Sequence, residues 1–217
     1  MCGRFQLSVK GKQISERFNV EVFDELYKPN YNCAPSQKLP VITNNEPQNL
    51  SYFRWGLIPF WAKDPKLGYR NINTRAETIG IKPSFKNAFK KRRCIIPANG
   101  FYEWRQHENK TPFRIFLKDE ELFSIAGIWE SWKDAENNII NSFSIITTEA
   151  NSLCEDIHNR MPVILKPENE QSWLQENDED SLKKLLVPFD PRKMDAYAIS
   201  KEVNSPKNNK AEIILPV

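Results

Sequence analysis

The chain has 217 residues, enough to bury a sizeable core without disulfides or metals, and about the size of one domain. Its 40% hydrophobic and 27% charged content fit a soluble globular protein, and a net charge of +3 permits a polyanionic partner without requiring one. No apolar run approaches the ~18 residues of a membrane span and no signal peptide follows Met1. No membrane partner is expected, and a cytoplasmic location is expected, nucleoid-associated in a bacterium.

Residues 10–19 (KGKQISERFN) read as a short amphipathic helix with Ile14 and Phe18 on one face. Strand-like stretches follow at 40–43 (PVIT), 50–57 (LSYFRWGL), 93–104 (RCIIPANGFYEW), 112–117 (PFRIFL), 122–129 (LFSIAGIW), 141–147 (NSFSIIT) and 161–165 (MPVIL). The short polar links at 117–122 and 133–139 predict hairpins, hence antiparallel pairing. Helices are predicted at 83–92, at 147–158 with Thr148 as cap, and around 168–176 and 178–186. Strands outweigh helices without strict alternation. The predicted fold is α+β, one domain over 1–217, with a mainly antiparallel sheet or barrel and peripheral helices.

Cys2, Cys33, Cys94 and Cys154 are far apart and form no C-x-x-C pair, which argues against a zinc site or a disulfide framework. The last three lie among apolar residues and read as small core hydrophobes. No metal or cofactor is expected, and the chain is expected to act as a monomer.

Cys2 differs from the others by position. Removal of Met1 would leave a free α-amine beside its thiol, and these titrate near ~8 and ~8.5 in model peptides. Such a 1,2-aminothiol closes a thiazolidine on an aldehyde, or attacks an amide through its thiolate. On its own, a cysteine at position 2 is an ordinary chain-end residue.

Four other places carry candidate chemistry, each with a plain alternative. Glu103 in GFYEW (100–104) lies among aromatic residues, where a carboxyl resists ionisation; the alternative is a surface glutamate. His158 in DIHNRMP falls at a predicted helix end, whose dipole favours the protonated ring; the alternative is a capping histidine. Asn73 and Arg75 in NINTRAET (71–78) share a face if extended, unless the stretch is a polar loop. In WGLIPFW (55–61), Trp55 reads as core and Trp61 as a stacking candidate for unpaired bases. His107 reads as a solvated loop residue, and KKRR (90–93) as the solvated end of a helix that adds diffuse phosphate attraction.

Taken in order, MCGRF, YNCAPSQ, WGLIPFW, NINTRAET, RCIIPANGFYEW, IITTEAN, IHNRMPVIL and VNSP resemble the SRAP (SOS response-associated peptidase) family from Cys2 to about Pro206. Single pieces are short, but their joint order is specific. The resemblance implies a DNA-repair role. The N-terminal cysteine would bond abasic sites in single-stranded DNA as a thiazolidine, within a compact α+β fold. It further implies Cys2 as nucleophile, Asn73 as its positioner, and Glu103 and His158 as proton-handling groups. Arg4, Pro35, Trp61, Arg75 and Thr147 fall where the family lines its DNA groove. No basic tail follows the matched region, so partner-binding motifs there are not expected.

Three other readings stay open on sequence. Class II glutamine amidotransferases also begin Met-Cys-Gly, and a thiol peptidase could remove its own leader. A non-covalent single-strand binding module would leave Cys2 incidental.

Overall fold

The computed structural model describes residues 2–23, 25–106, 110–119 and 122–217. His107 and the centre of the predicted 117–122 turn lie outside the described residues.

The first half of the chain lays down β1 (Arg4–Leu7), α1 (Gly11–Phe18), β2 (Asn30–Cys33), β3 (Lys38–Thr43), β4 (Ser51–Trp55) and β5 (Asn73–Arg75). Helix α1 buries Ile14 on its inner face and stops at Asn19, whose left-handed backbone cannot continue a helix. Helix α2 (Lys86–Lys91) then leads into β6 (Arg93–Ala98), β7 (Gly100–Trp104), β8 (Pro112–Leu117), β9 (Phe123–Lys133) and β10 (Ile139–Glu149). The remainder is α3 (Ser152–Glu155), β11 (Arg160–Pro162), β12 (Ile164–Leu165), α4 (Glu170–Gln175), α5 (Glu179–Lys184) and β13 (Met194–Ala198). The α+β class and the dominance of antiparallel strands agree with the expectation from sequence.

One sheet runs β13-β8-β7-β1-β2. The other closes on itself, because β10 pairs with β9 on one edge and with β4 on the other. Strands β10, β4, β3, β6 and β9 thus form a five-stranded barrel, with only the β4–β10 contact parallel. Past the end of β4, the same edge of β10 takes up β5, which pairs Asn73–Arg75 with Ile145–Thr147. Between them the chain makes an excursion over residues 56–72. Gly127 sits tightly in the barrel wall: a Cβ there would lie 2.4 Å from Ile96 Cδ1 and 3.1 Å from Ser144 O.

Four local expectations are corrected. The apolar run 93–104 is two strands in different sheets, broken at Asn99, whose Oδ1 accepts from Ser8 N–H while its own N–H bonds Gln6 O. An unbroken apolar stretch hid this, because both halves are buried. Strands β8 and β9 likewise belong to different sheets and form no hairpin, whereas β9 and β10 do, with Lys133 opposite Ile139. The predicted helix at 147–158 begins only at Ser152, capped by Asn151. Thr147–Glu149 instead pair with β11, where a strand ladder outcompetes capping by Thr148.

The KKRR run is not a uniformly solvated helix end. Lys90 and Lys91 are exposed, but Arg92 pairs with Glu130 over the Trp129 ring. Arg93 is buried and donates to the carbonyls of Phe89, Lys90, Trp173, Leu174 and Glu176, stapling α2 to α4. Cys33, Cys94 and Cys154 are buried and free, as read from sequence, and Trp55 packs between Phe5 and Phe143.

Removing the Arg93 guanidinium would leave its carbonyl acceptors without a donor in a dry site. Arg93→Ala is expected to lower the unfolding free energy by about 3 kcal/mol, read as a shifted urea midpoint at unchanged slope. A shift under about 1 kcal/mol would mean the staple is dispensable.

Candidate active site

Strand β1 starts at Arg4, so Cys2 is an extension in front of it. The register pairs Arg4 with Tyr102, the residue next to Glu103. The chain start is thereby laid along the end of β7. Cys2 is fully buried, its thiol directed to the Arg4 carbonyl at 3.8 Å, and its carbonyl accepts from Asn73 Nδ2 at 2.8 Å. Burial first, then the nearby Glu103 carboxylate, push the thiol well above its ordinary range. In this state Cys2 is a thiol, not a thiolate.

Asn73 reaches Cys2 because β5 is held on the edge of β10. Its Nδ2 is engaged, but its buried Oδ1 has no hydrogen-bond partner among the described residues. An unpaired buried acceptor costs free energy unless something donates to it. Glu103 is only 3% exposed, and burial raises it to about 7, against the opposing pull of the chain's amino terminus. A group poised there exchanges a proton near neutral pH with little driving force either way.

His158 lies half-buried after α3, with Nδ1 accepting from Arg160 N–H at 3.0 Å. Its pKa is lowered, by burial first and then by the positive amino terminus. The expected dipole effect is absent because α3 has only four residues and ends at Glu155, three positions before the ring. Cys2, Asn73, Glu103 and His158 thus come together around the chain start: Asn73 by contact, Glu103 and His158 through their fields.

The predicted groove residues are placed less uniformly. Arg4 is anchored, donating to Asn32 Oδ1 (3.0 Å), Asn204 O (2.9 Å) and Gly3 O (3.4 Å). Arg75 is exposed and Pro35 half-buried. Thr147 is fully buried, its hydroxyl donating to Thr74 O at 3.3 Å, so it supports the wall from beneath. Trp61 is 48% exposed on the 56–72 excursion.

That excursion also exposes Phe60, Tyr69, Lys63, Lys66 and Arg70, and Arg54 stacks over Tyr69. Its neck is closed by backbone: a Cβ on Gly68 would lie 2.6 Å from Gly56 O, and Gly56 has φ of +124°. Leu57 and Asn71 bond across the same neck, and Trp55 Nε1 donates to Ile72 O. Aromatic and cationic side chains are thus displayed on a closed loop.

Sequence reasoning missed Asn32, Asn204, Glu77 and Arg160 as members of this region. Asn32 is fully buried and donates to the carbonyls of Val203, Ser205 and Asn208, tying the VNSP segment to Arg4. All four lay in or beside quoted motifs, but a buried hydrogen-bond hub has no spacing signature. Among the described residues, no group of three or more His, Cys, Asp or Glu is placed to hold a metal. Among the described residues, no helix is long and apolar enough to cross a membrane.

A closed barrel joined to an antiparallel sheet, with a buried cysteine near the chain start bonded to the Asn73 amide and close to a neutral-range carboxyl, defines a class of α+β protein. The SOS response associated peptidase (SRAP) family pattern matches residues 1–206, and the chain belongs to that family. It is 51% identical to the abasic site processing protein YoqW of Bacillus subtilis, over 99% of each chain. It is also 32% identical to the abasic site processing protein HMCES of Rattus norvegicus, over 88% of this chain and 65% of the relative. A crystal structure of a Bacteroides thetaiotaomicron protein superposes with a TM-score of 0.92 at 35% identity, covering both chains fully.

The raised Glu103 has a consequence for stability. Its ordinary value is 4.5 and its folded value about 7, so the fold favours the neutral carboxyl. That contribution is complete below pH 4.5 and is lost as pH rises through about 7. Urea midpoints measured from about pH 4.5 to about pH 8 should therefore fall in the wild type relative to Glu103→Gln. Parallel profiles would show that Glu103 titrates normally.

Proposed function

We propose that the chain, as one SRAP unit, processes abasic sites in single-stranded DNA by bonding them covalently through Cys2 once Met1 has been removed. The observation that carries this reading is the meeting of the Asn73–Cys2 contact and a Glu103 of about 7 at the chain start. The names of the relatives supply the substrate class.

The chemistry follows from the residues. The abasic sugar is mostly a closed hemiacetal, and protonation of its ring oxygen by neutral Glu103, or by the imidazolium form of His158, favours the open aldehyde. The Cys2 α-amine adds to the aldehyde carbon, and loss of water gives an imine. The thiol then adds through sulfur to the imine carbon, its proton passing to nitrogen, and closes the five-membered thiazolidine. The sum is aminothiol plus aldehyde giving thiazolidine plus water. Glu103, neutral and ionised in similar proportion near pH 7, relays the protons.

Asn73 keeps the Cys2 backbone in place, and its unpaired Oδ1 is an acceptor for the new amine. Because both reacting atoms sit on one residue, proximity replaces most of the entropic cost of the second bond. The exposed Trp61 and Tyr69, with Arg75 and Arg70, suit stacking and phosphate attraction to an unpaired strand. A missing base also spares the cost of unstacking one.

The test is incubation with single-stranded DNA carrying one abasic site, followed by denaturing gel and intact mass. Wild type with Met1 absent should yield an adduct at the summed mass less one water, and Cys2→Ala none. Glu103→Gln should slow adduct formation about a hundredfold while leaving DNA affinity nearly unchanged. An adduct that survives Cys2→Ala would sink the proposal, as would its absence from processed wild type. Ammonia release from glutamine instead would point to an amidohydrolase.

A further inference from the structure

We infer that Glu77 and Arg160 are positioning residues: their ion pair clamps the Asn73 strand to the His158 turn and holds His158 with its ring proton on Nε2. The tautomer stands on geometry alone, while its catalytic use rests on the crosslinking reaction proposed above.

Glu77 lies two residues beyond β5, and Arg160 opens β11 two residues beyond His158. The guanidinium meets the carboxylate through two parallel bonds, Nη1 to Oε1 at 2.6 Å and Nη2 to Oε2 at 3.0 Å. Nη2 also donates to Thr147 O on β10 at 2.6 Å. One side chain therefore ties together the turn after β5, the middle strand β10 and the start of β11. The Arg160 side chain is 13% exposed and the Glu77 side chain 50%, so the pair's worth lies in its forked geometry more than in charge attraction. Arg160 holds the Glu77 carboxyl below its ordinary range, which keeps the fork intact across neutral pH.

The second link is backbone. Arg160 N–H donates to His158 Nδ1 at 3.0 Å, so that nitrogen presents its lone pair and the neutral ring carries its proton on Nε2. The donor's place is set twice, by the ladder pairing of Arg160 with Glu149 and by the guanidinium fork. Releasing the fork leaves Arg160 free to tilt at the very end of its strand, and the ring loses the donor that sorts its nitrogens. Glu77 has no contact with Cys2 in the structure, so its influence reaches the site only through Arg160 and the two strands.

Ring-nitrogen NMR on protein labelled at histidine tests this directly. The chain has two histidines, His107 and His158, and His158→Gln assigns the signals by loss. Wild-type His158 should show the Nε2–H tautomer, and Glu77→Ala a mixture of the two. Glu77→Asp, which keeps the charge on a shorter arm, should restore the tautomer in part. With abasic single-stranded DNA, Glu77→Ala should form adduct about tenfold more slowly while binding intact strands no more weakly. A wild-type Nδ1–H tautomer, or a Glu77→Ala ring unchanged from wild type, would overturn the clamp. Equal loss of adduct rate and strand affinity would also overturn it, as a general loosening of the fold. If processed wild type forms no adduct at all, the crosslinking reading fails alone, and the tautomer comparison still decides the clamp.

Discussion

Strand β10 is the constraint on which the rest depends. Both of its edges are used twice, by β9 and then β11 on one side and by β4 and then β5 on the other. The first pair of partners closes the barrel; the second pair carries Asn73 and approaches His158. A slip of one residue in this ladder would turn every side chain of β10 to the wrong face. The same register that buries Phe143 and Ile145 in the core therefore delivers the amide to the Cys2 carbonyl. Site geometry here is a by-product of barrel closure, and needs no separate scaffold.

Desolvation sets the electrostatics at the chain start. It raises the Cys2 thiol, raises Glu103 to about 7 and lowers His158, in each case disfavouring the charged form. Of these three groups, Glu103 is the one brought closest to neutral pH, so its proton moves most readily there. A buried thiol kept protonated is unreactive toward stray electrophiles. In the crosslinking reaction proposed above, the amine generates the imine first, so that sulfur attacks an already activated carbon. In that proposed reaction, burial rather than a dedicated gate would favour the order of bond formation.

Much of this was legible in the sequence, and the limits have physical causes. Short polar links and β-branched runs marked most strands, and the quoted motifs marked Cys2, Asn73, Glu103 and His158. The split of 93–104 into two sheets was not legible, because an apolar run buried on both faces carries no alternation to show where it changes partners. Thr148 looked like a helix cap because capping and strand residues overlap in chemistry, and only the distant β11 decides between them. Arg92 and Arg93 looked solvated because charge in sequence does not reveal a ring of waiting carbonyls. The sign of the His158 shift was lost for a related reason: burial and neighbouring charge are tertiary, while a helix end is local.

The crossing of Gly56 and Gly68 separates two kinds of freedom. Below it, the barrel wall is closely packed, as the crowding at Gly127 shows. Above it, residues 59–67 form a loop whose ends are joined irrespective of what it displays. Side chains there can drift, and residues can be gained or lost, without disturbing the placement of Asn73 one turn of chain later. The two glycines therefore form the boundary between a loop held only at its neck and a wall held along its whole length.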